Sequence, residues 1–259
     1  TPSTSEIQSK IKDDETLLEY YCANKDWHVF IVTNKMIVSQ KMPVADLGEN
    51  LDMLRNNMAK RDMQQFKQQS QMLYSQIFTL ALPLIKTKRL IIVPHGPLHY
   101  LPFAALFDGN EYLVDRFSIR MLPSASVLSF LKKRTTQDDR DALIFGNPQL
   151  NDPKYDLKFA QDEALAIGKI LSKSKVFVRN EASKTNLLNF GSKFTIIHLA
   201  VHGVFDLDKP LDSALLLASD KNNNGLLKAG DLYNLSLNAD LVTLSACETA
   251  LGKVATGDD

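Results

Sequence analysis

Two short stretches carry the reactive side chains of this chain. "FTIIHLAVHG" runs through an apolar segment onto His202-Gly203, and "ADLVTLSACETA" runs through another onto Cys247. A thiol with the ordinary pKa near about 8.5 is mostly protonated at neutral pH and is then a weak nucleophile. An imidazole beside it can take the proton or hold an ion pair, which gives an activated thiolate. The glycine after the histidine adds a second element. With no Cβ it lets a substrate approach the backbone, so that its N–H can face a developing oxyanion. The competing reading of Cys247 is a small core residue, because free cysteine is among the most buried residue types.

Other residues of reactive type give weaker patterns. His95 and His99 are four apart, as a metal pair could be, but no third ligand clusters nearby and prolines surround them. Structural hydrogen bonding is expected there. His198 precedes His202 by four and shares its side of a strand, and its place inside an apolar run reads as a satisfied core histidine. "DKNNNGLLKAGD" (220–231) half-fits a calcium loop through Asp220, Asn222, Asn224, Gly225 and Asp231. It lacks the bidentate glutamate and follows a strand, so an Asn-Gly turn capping a helix is the expectation. None of the eleven glycines forms a phosphate-binding loop. Cys22, beside "EYY", reads as structural at a strand start. No cofactor and no metal are expected. Asp206, Asp208, Asp212 and Glu248 lie near the candidate site, where they either select a basic side chain or form a solvated loop.

The elements that must position these residues follow from periodicity. "WHVFIVTNKMIVSQ" (27–40) reads as two strands around a turn at Thr33-Asn34-Lys35, and 44–86 as two helices sharing an apolar face. "RLIIVP" (89–94) and "FSIRML" (117–122) are strands, and Pro123-Ser124 opens a helix through Lys132. The charged linker 132–141 is the best internal boundary, which gives regions 1–135 and 136–259. After it come strands at 142–146, 175–178, 194–201, 213–219 and 239–246, with helices at 159–171 and from the cap Ser183 to Phe190. Strands alternating with helices of this length imply a largely parallel sheet flanked by helices, with its working crevice at the carboxyl ends of the strands.

Composition bounds the rest. Thirty Lys and Arg balance thirty Asp and Glu, so no net field selects nucleic acid or acidic lipid. No apolar run approaches the roughly 20 residues of a membrane span. Two cysteines give no disulfide framework, which fits a reducing cytoplasm. The polar start at Thr1 and the tail "GKVATGDD" read as a segment of a longer protein.

"HLAVHGVFDLDKPLDSALLLA", "LVTLSACETALGK" and "RLIIVPHGPLHYLPFAAL" together resemble the CHAT domain, a caspase-like cysteine peptidase family related to separase. The resemblance runs from "LLEYYCANKDWHVFIVT" to "CETALGK". It implies a caspase-like α/β fold, His202 as the catalytic histidine, Cys247 as the nucleophile, and the N–H groups of Gly203 and Cys247 as the oxyanion hole. It further implies a protein substrate, an upstream repeat or sensor region such as tetratricopeptide repeats that gates the peptidase, and a downstream segment completing the substrate pocket. By that measure the chain is truncated after the nucleophile.

The first region also echoes the second. "LIIVPHG" (90–96) resembles "IIHLAVHG" (196–203), and "RMLPSAS" (120–126) resembles "VTLSACE" (242–248), which aligns Ser126 with Cys247. A pseudo-caspase half followed by an active half is the arrangement this suggests. The expected function is a cysteine endopeptidase. The alternatives are a catalytically silent interaction module of the same fold and a cysteine amidase acting on small molecules.

Overall fold

A computed structural model describes residues 2–44, 47–131, 141–171, 173–206 and 208–246. The chain divides into two compact units with the change at residues 131/132.

The first unit begins with helix α1 (Thr4–Gln8) and strands β1 (Glu15–Ala23), β2 (Asp26–Val32) and β3 (Ile37–Met42). Helices α2 (Leu47–Ala59) and α3 (Met63–Ile77), strand β4 (Arg89–Val93), helix α4 (Leu113–Arg116) and strand β5 (Ser118–Met121) follow. The five strands form one sheet in the order β3-β2-β1-β4-β5. The β1-β2-β3 meander is antiparallel, whereas β1, β4 and β5 run parallel. Leu17 and Leu18 are both fully buried although they face opposite ways, so β1 is covered on both sides. On one face Leu18, Val29, Ile31, Leu90 and Ile92 pack with Leu51, Leu54, Leu73 and Ile77 of α2 and α3. On the other, Leu17, Ile91 and Val93 pack with Ala125 and Leu128.

The expected hairpin around Thr33-Asn34-Lys35 is β2-β3, and a second two-residue turn at Asn24-Lys25 returns β2 antiparallel to β1, so the sheet of this unit is mixed. Two local expectations are corrected. Cys22 lies near the end of β1 rather than at a strand start. The segment after Pro123-Ser124 is a 3₁₀ turn over Ala125–Ser129, started by the Ser126 N–H donating to the Ser124 hydroxyl at 3.2 Å, rather than a helix continuing through the described residues 130–131.

The second unit consists of β6 (Asp141–Pro148), α5 (Lys158–Ile170), β7 (Lys173–Arg179), α6 (Lys184–Phe190) and β8 (Ile196–Ala200), then β9 (His202–Val204), β10 (Ala214–Leu216), β11 (Leu226–Lys228) and β12 (Leu241–Ser245). Four strands form a wholly parallel sheet in the order β12-β8-β6-β7. β9, β10 and β11 form a small antiparallel sheet of their own. Leu143, Phe145, Phe177, Ile197 and Leu199 bury one face against Leu187 of α6, and Ala142 and Ile144 bury the other against Ala164 of α5. The sheet is thus flanked by helices on both faces. The Asn-Gly turn at 224–225 leads into strand β11 rather than capping a helix: Gly225 takes φ +82°, and its C=O accepts from the Leu217 N–H at 2.8 Å.

From β6 the chain winds outward to β7 on one side and to β8 and then β12 on the other. The direction of winding reverses between β6 and β8, and the crevice of an open parallel sheet lies at the carboxyl ends of such a pair. The carboxyl end of β8 leads to His202.

Candidate functional site

The β8–β12 register sets the site. Leu241 pairs with Ile196 and Ser245 with Ala200, strand running parallel to strand. Two residues beyond Ala200 is His202, and two residues beyond Ser245 in the sequence is Cys247. Cys247 and Glu248 lie outside the described residues. Thr195 anchors the opposite end of these strands. Its N–H and hydroxyl donate to the Asp141 carboxylate at 2.8 and 2.6 Å, while its C=O accepts from the Asp240 N–H at 2.7 Å. Burial pushes the Asp141 carboxyl up, but the two Thr195 donors outweigh that and hold it below its ordinary value.

His202 is half-buried, and its ring is oriented by a backbone group. Nε2 lies 3.0 Å from the C=O of Tyr155, whose ring also stands edge-on to the imidazole at 5.5 Å. A carbonyl oxygen can only accept, so Nε2 carries the hydrogen in this bond, and in the neutral ring Nδ1 is left as the base.

The loop presenting Tyr155 is itself tied down. Asn147, 2% exposed with φ +47°, accepts from the Leu157 N–H at 2.8 Å and donates to the Asp156 carboxylate at 3.1 Å. Arg179, at the end of β7, binds the same Asp156 carboxylate and the Gln149 side-chain oxygen. Asparagine suits this position because it tolerates the left-handed region better than other residues with a Cβ. Sequence reasoning missed Tyr155, Asn147, Asp156 and Arg179. Any residue supplies a carbonyl, so only the Asn-Pro pair ending β6 hinted at a specific turn.

Gly203 follows on the pleat and pairs with Leu215 of β10. It lines a pocket of about 210 Å³ with Phe205, Leu215, Leu227, Leu232 and Leu244. Asp206 and Asp212, two of the four nearby acids, have partners of their own, as does Asp231. Asp206 accepts from the N–H groups of Asp208 and Lys209 at 3.0 and 2.9 Å. Lys228 binds Asp212 at 2.8 Å and holds its carboxyl below the ordinary value. Lys184 binds Asp231 at 2.7 Å with the same effect.

The remaining candidates lie apart from this crevice. His198 is 8% exposed, and its Nε2 stands 2.9 Å from the Glu163 carboxylate of α5, a satisfied core histidine as expected. Asp220 of the calcium-like loop accepts from the N–H groups of Asn222 and Asn223, which closes a local turn. His95, in the first unit, packs against the rings of Tyr21 and Trp27 at 5.1 and 5.9 Å. Among the described residues no group of three or more His, Cys, Asp or Glu could hold a metal ion, and no helix is long and apolar enough to cross a membrane.

Comparison with known proteins places the geometry in a family. The model of the CHAT domain matches residues 67–259. The chain is 25% identical over 226 residues to tetratricopeptide repeat protein 28 of Mus musculus, which covers 66% of the chain and 9% of that relative. It is 27% identical over 158 residues to tetratricopeptide repeat protein 28 of Homo sapiens, which covers 55% of the chain and 6% of that relative. The chain therefore spans less than a tenth of the length of these curated relatives.

Proposed function

The chain belongs to the CHAT-domain family, whose fold is caspase-like, and on that premise we propose that it is a cysteine endopeptidase with Cys247 as nucleophile and His202 as its proton partner. Sγ of Cys247 attacks the substrate carbonyl and its proton passes to Nδ1 of His202. The oxyanion is stabilised by the N–H groups of Gly203 and Cys247. His202 then gives the proton to the leaving amine, and a water activated by the same imidazole hydrolyses the thioester. No cofactor takes part.

The observation that carries this reading is the state of His202 at the switch point of the sheet. Its Nε2 is spent on the Tyr155 carbonyl and its Nδ1 is left basic, and the neighbouring strand β12 leads in register toward the cysteine. The apolar pocket beside Gly203, with Asp206, Asp212 and Asp231 already bonded, supports recognition of an apolar rather than a basic substrate side chain.

The wider arrangement is part of the same proposal. The relatives' name supports an upstream tetratricopeptide-repeat region that gates the peptidase, in a cytoplasmic protein with a downstream segment completing the pocket. The two regions, 1–135 and 136–259, are a pseudo-caspase half and an active half. Support comes from the strands carrying the echoed motifs: β4 and β5 are parallel neighbours in the first unit, as β8 and β12 are in the second.

Cys247→Ala and His202→Ala in the full-length protein test the reading. Each is expected to lower cleavage of a protein substrate by several orders of magnitude, with folding retained. His95→Ala and His99→Ala are expected to leave the rate within about twofold, since neither belongs to the unit that holds His202. Wild-type cleavage by Cys247→Ala would overturn the peptidase reading. A parent protein whose Cys247 takes up no thiol-directed activity probe in the presence of its trigger would favour the catalytically silent interaction module.

A further inference from the structure

Glu163 takes no part in the chemistry above, yet it bonds to both strands that frame it. It projects from α5, and its two carboxylate oxygens are divided between the strands. Oε1 accepts from Nε2 of His198 on β8 at 2.9 Å, and Oε2 accepts from the hydroxyl of Ser245 on β12 at 3.3 Å. Ser245 is the last paired residue of β12, opposite Ala200. From that pair the two chains run the same number of residues to Cys247 and to His202. The segment 155–163 thereby touches the strands that lead to the site, and His202 itself, three times: Tyr155 at His202, and Glu163 at His198 and Ser245.

The bond to Ser245 has a particular mechanical meaning. β12 is the outer strand of the described four-stranded sheet, held laterally by β8 alone. Its side chains at Leu241, Val242 and Leu244 are 54%, 44% and 50% exposed, so packing fixes its position weakly. An edge strand whose end must deliver a nucleophile needs another restraint. A carboxylate already anchored on a buried histidine supplies one, because His198 is only 8% exposed and has no freedom to follow β12.

We infer that Glu163 is a positioning residue. Its carboxylate clamps the end of β12 to β8 through Ser245 and His198, and so holds the strand that leads toward Cys247 against the strand that leads to His202. The inference rests on the cysteine-peptidase reading. It assigns Glu163 no contact with substrate and no proton transfer, only control of geometry. A displacement of about 1 Å at a reacting pair can cost up to about 100-fold in rate.

The experiment compares Glu163→Ala, Glu163→Gln, Ser245→Ala and the double variant Glu163→Ala/Ser245→Ala with Cys247→Ala, all in the full-length protein cleaving one protein substrate. Glu163→Ala and Ser245→Ala are each expected to lower kcat by about 10- to 100-fold with KM within about twofold. The double variant should be no slower than Glu163→Ala, because both changes break the same link. Glu163→Gln should keep most of kcat, since a carboxamide can still bond to the imidazole and the hydroxyl. Iodoacetamide labelling of Cys247 relative to Cys22 gives a readout without turnover, and the His202-dependent enhancement should fall in Glu163→Ala and persist in Glu163→Gln. Wild-type kcat in Glu163→Ala, a change confined to KM, or equal loss in the Gln and Ala variants would overturn the inference while Cys247→Ala remained inactive. Undiminished cleavage by Cys247→Ala would instead overturn the peptidase reading, and the positioning role with it.

Discussion

Gly146→Ala is the perturbation whose consequence the structure defines most sharply. Gly146 lies in β6 beneath α5, and a Cβ at this position would stand 2.4 Å from Cβ of Ala164 and 2.7 Å from the C=O of Ala160. Carbon atoms rest about 3.5–4.0 Å apart at their best separation, so α5 must lift by about 1 Å or more. Neither neighbour can turn aside: one is a helix carbonyl, and the other is a methyl group fixed to the helix backbone. A methyl group forced into a well-packed core costs about 1–3 kcal/mol, and two such contacts put this case at the upper end.

For a chain of this size the midpoint should fall by about 6–12 °C. The assay must read the correct unit. The single tryptophan, Trp27, belongs to the first unit and would miss the event. Hydrogen exchange of amides in 142–170 would register it. Ala164→Gly removes the 2.4 Å contact and leaves the carbonyl one, at a helix cost of about 1 kcal/mol. The double variant Gly146→Ala/Ala164→Gly should therefore be more stable than additivity of the two single changes allows. Protection in Gly146→Ala within about 0.5 kcal/mol of the parent would refute the claim that glycine is required for the approach of α5 to β6.

Further outcomes follow from single contacts. Asp141 titrates below its unfolded value of about 3.9, so its contribution to stability is complete above about pH 5 and is lost as pH falls through the lowered value. Asp141→Asn should flatten that part of the acid-unfolding curve, and an unchanged curve would discount the Thr195 bonds. Phe145, fully buried and 5.5 Å from the Phe177 ring, should cost about 3–5 kcal/mol when replaced by alanine, as measured by urea unfolding of the second unit. Lys175 lies 3.7 Å above the Phe190 ring, and Lys175→Met should lose about 0.5–1 kcal/mol while keeping the packing of the stem. Val242→Lys on the exposed face of β12 should raise the concentration at which the chain aggregates, as followed by light scattering.

The sequence by itself determined the elements and the family. Apolar runs such as "LIIV" and "IIHLA" can be satisfied only as covered strands, and each appears at its expected place as β4 and β8. Ser183 announces the start of α6 because its hydroxyl accepts the Asn186 N–H at 3.2 Å, a bond local in the chain and therefore visible in it. The pairing of His202 with Cys247 is a proposal that joins two strand ends to the CHAT-domain resemblance. What the sequence left open depended on contacts between residues far apart along the chain. Strand β1 came to lie beside β4, with Leu17 opposite Ile91, through a pairing that no local pattern marks. The adjacency of β8 and β12 depends on a crossover of forty residues, which periodicity does not measure. The partners of Asp206 and Asp212, two of the four acids named near the site, were visible only once the fold had brought Lys209 and Lys228 to them. The tautomer of His202 was decided by a carbonyl 47 residues away, and Glu163 acquired a role only when α5 brought it over His198 and Ser245. Backbone acceptors and long-range carboxylate bonds carry no residue-type signature, so the fold had to bring them together before they could be seen.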